Sequence, residues 1–274
     1  MQFKKELIVF PTSRAIREYI LNKTLNNTLL PTFLSIDDFF KKSITINDKE
    51  FIDEEERFLY LKEASNIKEL KKLGLSNSFS EFIKHSDYLF RFFGEVASEK
   101  VNIEDIKNVD TYEYYAEHLQ ILQTIHSNYC SILDEHNAVD KINLANNYKI
   151  NESYIKTFEN ITIFFEGYFT NLEFDILQKV STISNMKVNL KVTQYNRKSV
   201  EKFKTLGFDL EENYEYLLDF KNIEIVSKTS LQNKNQNISI ESFSSRVNQI
   251  AFIKKSITNM INKGLAKEKI ALIL

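Results

Sequence analysis

The sequence predicts an α/β fold, a parallel sheet whose chain is interrupted by a large all-α insertion. Strand-like apolar runs cluster towards the two ends of the chain, while residues 53 to about 137 carry apolar side chains at helical spacing almost without a break. The 274 residues include only 5 Gly and 2 Pro, too few tight turns for an all-β sandwich or barrel. With 43% hydrophobic residues, 22 Phe and 13 Tyr, the chain has ample material for a core, which excludes disorder.

The first element is the run Glu6-Leu-Ile-Val-Phe10, a strand that stops at Pro11. Thr12 and Ser13 offer hydroxyl caps to a following helix in which Ile16, Tyr19 and Ile20 recur at helical spacing. In the next segment, 30–40, Ser35 is placed to cap a helix with Asp37 and Asp38 in its dipole-favoured first turn. Asp53 then caps a helix over 54–64, Ser78 one over 79–94, and Asp110 a long one reaching Leu133. Their apolar stripes lie opposite acidic faces, so they should pack as a bundle. After Phe158 the pattern returns to strands at 161–165, 188–192, 223–226, 238–242 and 271–274, with helices over 172–183 and 247–262. Residues 230–237, rich in Asn, Gln and Lys, read as a linker.

These elements divide the chain into an α/β domain over 1–47 and 158–229, an all-α insertion over 48–157, and the beginning of a second α/β domain over 238–274. The strand that ends the sequence gives the chain the look of the front part of something longer. Net charge is −2, which alone disfavours a nucleic-acid partner, but it is unevenly spread: residues 1–47 carry +3, 48–160 carry −9 and 161–274 carry +4. A single cysteine, Cys130, excludes an internal disulfide framework and an all-thiolate metal site formed by this chain, and fits a reducing, cytoplasmic compartment. The longest apolar runs fall well short of a membrane span, so no membrane association is expected.

The five glycines are isolated, so the closely spaced glycines of a phosphate-binding loop are missing and no ATP hydrolysis is expected of this chain. The turn Thr12-Ser13-Arg14, with Arg17 one helical turn on, has two readings: an anion cradle for a DNA phosphate, or an ordinary helix cap with two solvated arginines. Ser245 and Arg246, before the helix at 247, pose the same choice. Glu166 ends a central strand, where it is either a carboxylate for Mg²⁺ or a strand-end acid beside a turn glycine. The aromatics between Phe79 and Phe93 are bundle core at helical spacing, or a platform for bases. His85, His118, His126 and His136 have no metal-ligand spacing, so no metal site is expected.

Taken in order, Val9-Phe-Pro-Thr-Ser-Arg-Ala-Ile-Arg17, Leu30-Pro-Thr-Phe-Leu-Ser-Ile-Asp-Asp-Phe-Phe40, Asp110-Thr-Tyr-Glu-Tyr-Tyr115, Leu119-Gln-Ile-Leu122, Phe164-Phe-Glu-Gly-Tyr-Phe-Thr170, the stretch 240–253 and Lys269-Ile-Ala-Leu-Ile-Leu274 make the chain resemble the N-terminal region of AddB-type subunits of bacterial AddAB helicase-nucleases. These are relatives of the UvrD/RecB-like superfamily 1 helicases. The resemblance implies a P-loop-helicase-like parallel sheet lacking its phosphate loop, and hence a DNA-holding scaffold rather than a motor. It places Thr12, Ser13, Arg14, Thr32, Phe33 and Ser35 where those helicases contact single-stranded DNA, and Glu166 at a degenerate Walker B-like position. It further implies an AddA-like helicase subunit as partner, single- or double-stranded DNA ends as ligand, and a role in end resection for recombinational repair. The parent protein would carry a PD-(D/E)XK nuclease with Mg²⁺ and an iron–sulfur cluster; this chain matches no nuclease motif and would be inactive by itself. The rival expectations are a protein-docking scaffold without a nucleic-acid role and an ATPase with a non-standard phosphate site near Thr12 and Glu166.

Overall fold

The computed structural model describes residues 5–22, 30–46, 48–106, 115–231 and 238–273, and the chain divides into two compact units, Met1–Leu231 and Gln232–Leu274. In chain order the strands are β1 (Glu6–Phe10), β2 (Thr32–Ser35), β3 (Ile44–Ile46), β4 (Glu50–Phe51), β5 (Ala138–Val139), β6 (Tyr148–Ile150), β7 (Asn160–Phe165), β8 (Asn185–Val192), β9 (Tyr214–Asp219) and β10 (Glu224–Ser230). The helices are α1 (Ser13–Asn22), α2 (Ile36–Ser43), α3 (Glu54–Ala64), α4 (Phe79–His85), α5 (Asp87–Ser98), α6 (Ile103–Ile106), α7 (Ala116–Glu135), α8 (Leu144–Asn147), α9 (Glu152–Ile155), α10 (Asn171–Ile183), α11 (Arg197–Thr205) and α12 (Arg246–Asn262).

The first unit is α/β, built on a six-stranded sheet of order β10-β9-β8-β7-β1-β2. The four strands β8, β7, β1 and β2 are parallel, in a register that sets Val9 beside Ile163, Phe10 beside Ser35 and Phe165 beside Leu190. The expected wholly parallel sheet is corrected at one edge: β9 and β10 run antiparallel, because β9 returns beside β8 and a tight connection through Ile223, at φ +55°, leads straight into β10. Side chains alternate along each strand. Leu7, Val9, Ile161, Ile163, Val188 and Leu190 are buried on one face, where α2 and α10 cover the sheet and Phe203 of α11 meets Phe165 and Phe174. Each such side chain stabilises the fold by about 1.5–3 kcal/mol. On the other face α1 lays Tyr19 against Phe10, which stacks on Phe164 at 4.7 Å, while β8 turns Lys187, Asn189 and Lys191 outward.

The caps form where hydroxyls and carboxylates precede helices. Thr12 Oγ1 accepts from Ala15 N at 3.2 Å, and the side chains of Ser35, Asp53 and Ser245 each accept from the amide three residues on. The Asp110 cap lies outside the described residues. The single helix expected over 79–94 is broken at Ser86, whose hydroxyl donates to the carbonyl of Ile83 and divides it into α4 and α5.

The helical insertion has its own core, from Ile52 to Ile142, around α3, α5 and α7. Residues 144–157, expected to belong with it, instead pack on the sheet core: Ile155 is buried there, and β6 pairs antiparallel with β3. Polar clamps join the two layers. Asp175 of α10 accepts from Tyr148 Oη at 2.6 Å, Lys179 Nζ at 3.0 Å and Lys100 Nζ at 3.1 Å, and Glu99 accepts from Lys202 Nζ at 3.1 Å.

In the second unit α12 forms as expected, but 238–242 and 271–273 form no strand. A strand needs a partner for its backbone groups, and none is offered among the described residues; Ile240 is 92% exposed. Residues 232–237 of the expected linker lie outside the described residues. No helix among the described residues is long and apolar enough to cross a membrane.

Candidate nucleic-acid interface

In an open parallel sheet, ligands bind beyond the carboxyl ends of the strands, at the point where successive strands depart in opposite directions. That point falls here between β1 and β7, because the chain leaves β1 towards β2 and later returns to β7 on the other side. The connections flanking it are Pro11-Thr12 after β1 and Glu166 to Thr170 after β7. Four of the residues singled out by sequence, Thr12, Ser13, Arg14 and Glu166, therefore sit on either side of one crevice, and Ser35 ends the adjacent β2 at the level of Phe10.

The β1–α1 connection is only two residues long, so the first turn of α1 begins directly at the sheet edge. Thr12, Ser13, Arg14 and Arg17 are exposed, and neither arginine has an ion-pair partner among the described residues. A helix N-terminus with two uncommitted guanidinium groups is positive, which suits a phosphate. Across the crevice Gly167 takes φ +90°, a conformation open to glycine, and turns the chain so that Glu166 and Tyr168 both face solvent. The chain then enters α10 through a capping box: Thr170 Oγ1 accepts from Glu173 N, and Glu173 Oε2 accepts from Thr170 N at 2.8 Å.

Two residues of this edge are not singled out by sequence. Tyr168 is 49% exposed with Lys202 Nζ over its ring at 4.1 Å, and Tyr195, in the loop after β8, is 88% exposed. The Tyr195 loop is held: Asn196 Oδ1 accepts from Thr193 N at 2.9 Å, and Asn196 Nδ2 donates to Lys191 O at 2.7 Å. An aromatic ring projected into water from a fixed loop is a surface on which a base can stack. With strands about 4.8 Å apart, the edge from β2 to β8 spans about 14 Å.

Other expected site residues are placed elsewhere. Thr32 is exposed but pairs with Leu7, three residues and about 10 Å back from the edge. Phe33 is half-buried against Phe10 at 6.3 Å and Tyr19 at 5.9 Å, so its ring serves the core under α1. Ser35 spends its hydroxyl on Asp38, donating to Oδ2 at 2.6 Å. Ser245 and Arg246 belong to the second unit, where Ser245 caps α12 and Arg246 is exposed. Of the aromatics from 79 to 93, Phe82, Phe90 and Phe93 are buried in the bundle while Phe79 and Tyr88 remain exposed.

Among the described residues no three His, Cys, Asp or Glu side chains cluster to hold a metal. An iron–sulfur cluster needs several thiolates, and the one cysteine does not fit that role. Burial, with the nearby Asp134 and Asp140 carboxylates, pushes the Cys130 thiol up to about 11. His126, 3.9 Å from its sulfur, is held below the usual imidazole range by burial.

The class defined here is thus an α/β protein with a mostly parallel central sheet, whose β1–β7 switch point is flanked by the exposed Thr12, Arg14, Glu166 and Tyr168. No known family model matches the chain, and no curated protein matches it.

Proposed function

We propose that this chain is a non-catalytic module that holds single-stranded DNA along the carboxyl edge of its sheet. The observation that carries this reading is the position of α1, which starts directly after β1 at the β1–β7 switch point with Arg14 and Arg17 exposed, while Tyr168 and Tyr195 are exposed in the connections after β7 and β8. Arg14, Arg17 and the amides of the first turn of α1 would position the backbone, and Tyr168 and Tyr195 would stack unpaired bases. The ordered resemblance to AddB-type subunits supplies the setting: a helicase-like sheet without its phosphate loop, working beside an AddA-like motor at DNA ends during resection and recombinational repair. Mg²⁺-dependent nuclease chemistry and any iron–sulfur cluster would belong to other parts of such a parent protein.

Fluorescence anisotropy with a labelled single-stranded oligonucleotide tests this directly. Retention at low salt that weakens steeply with added salt is expected, and the absence of any binding overturns the reading. ATP turnover by the isolated chain would favour instead an ATPase with a phosphate site near Thr12 and Glu166.

A further inference from the structure

A second site lies away from the sheet edge, in the cleft where the helical insertion meets the α/β layer. Its volume is about 760 Å³, within the 300–1,000 Å³ usual for small-ligand sites. The floor is apolar, formed by Phe40 and Ile44 from one layer, Phe90 from α5, and Leu172 and Ile176 from α10.

The charges stand on the solvent-exposed rim of the cleft, above that apolar floor. Seven charged residues line the cleft, and two are already committed: Arg57 donates to Asp140 at 2.9 Å while its guanidinium lies 4.0 Å over Phe90, and Glu173 caps Thr170. Three cations remain, Lys41 at the end of α2, Arg91 on α5 and Lys141 after β5; none has an ion-pair partner among the described residues. They come from three separate elements, and Arg91 and Lys141 come from the segment that carries the net −9. The uncommitted acids are Asp37 and Glu95, which accept hydrogen bonds from hydroxyl or amino donors.

Gly94 adds an independent observation. It sits inside α5 on the cleft wall, where glycine weakens a helix by about 0.5–1 kcal/mol relative to alanine. A Cβ there would meet nothing within 4 Å, so internal packing does not account for the missing side chain.

We propose that this cleft binds a free nucleoside mono- or diphosphate. The phosphate would meet Lys41, Arg91 and Lys141, the base would lie on the apolar floor beside Phe40, Leu172 and Ile176, and the sugar hydroxyls would donate to Asp37 and Glu95. The proposal is independent of DNA holding at the sheet edge, since none of the residues proposed to contact DNA, Arg14, Arg17, Tyr168 and Tyr195, lines the cleft. Isothermal titration of the full chain with AMP and ADP, with adenosine and with inorganic phosphate tests it. AMP and ADP should bind, with adenosine and phosphate each at least about tenfold weaker, because each retains only part of the contact set.

Two variants locate the site. Arg91→Glu with Lys141→Glu should weaken AMP more than tenfold, and Gly94→Leu, which fills the cleft with a better helix former, should do the same. Arg14→Ala with Arg17→Ala should leave AMP affinity unchanged, which separates this site from the sheet edge. No AMP or ADP binding at millimolar concentration, adenosine binding as tightly as AMP, or indifference to both cleft variants overturns the proposal.

Discussion

Replacing Asp140 by alanine should be among the most destabilising single changes in the helical insertion. Its carboxylate is 2% exposed and accepts from Arg57 Nε of α3 at 2.9 Å, Tyr129 Oη of α7 at 2.9 Å and the Lys141 amide at 2.6 Å. Its own amide donates to Asn143 Oδ1 at 2.8 Å, so one residue ties two helices to the segment after β5. Removing one partner of a buried ion pair typically costs about 3–5 kcal/mol, because the other charge stays desolvated. Arg57 retains 19% exposure and can recover some hydration, which argues for the lower end. The stranded Tyr129 hydroxyl adds a loss of about 1–3 kcal/mol. A net loss of about 4–6 kcal/mol follows, which at an m-value of about 3 kcal/mol/M moves the urea midpoint by about 1.3–2 M in a circular-dichroism titration. Tyr129→Phe should lose less, about 1.5 kcal/mol, and Arg57→Met with Asp140→Ala should lose less than the sum of its parts. An Asp140→Ala midpoint indistinguishable from wild type would refute the reasoning.

Two further outcomes follow from the same contacts. Burial pushes the Asp175 carboxyl up, but hydrogen bonds from Tyr148, Lys179 and Lys100 outweigh it and hold its pKa below the usual carboxylate value. The stability it contributes is present above the unfolded value of about 3.9 and is lost as pH falls through the lower folded value; Asp175→Asn should therefore flatten that acid limb in a melting-temperature series, and an unchanged limb counts against the clamp. Tyr195→Ala, at a ring that touches no core, should leave melting unchanged yet weaken single-strand binding by about 1–3 kcal/mol, read by anisotropy against a duplex control.

Much of the fold was legible because local chemistry and tertiary demand agree. Leu7 and Val9 alternate in β1, Thr12, Ser35, Asp53 and Ser245 cap where their helices begin, and Ile161, Ile163 and Phe165 mark β7. β9 was missed because Tyr214-Glu-Tyr-Leu-Leu-Asp219 has a weak signal of its own and becomes a strand by pairing with β8. The opposite failure occurs at 238–242 and 271–273, where strand-like composition finds no ladder among the described residues. At the candidate site, the sequence places Thr12, Arg14 and Glu166 at element ends, and there the structure has them. Tyr195 is not legible in the sequence, since its exposure depends on how Thr193 and Asn196 hold the loop, and Phe33 is misplaced because its neighbours Phe10 and Tyr19 are set by the register of β1 and β2.

The most direct test of DNA holding at the sheet edge is the salt dependence of single-strand affinity for wild type and for Arg14→Ala with Arg17→Ala. Each phosphate contact on a single strand contributes about −0.7 to the slope of log K against log salt, so losing two should make the slope shallower by about 1.4 and weaken binding at low salt. A slope and an affinity unchanged by the double substitution would contradict the assignment of the β1–β7 crevice as the place where the strand is held.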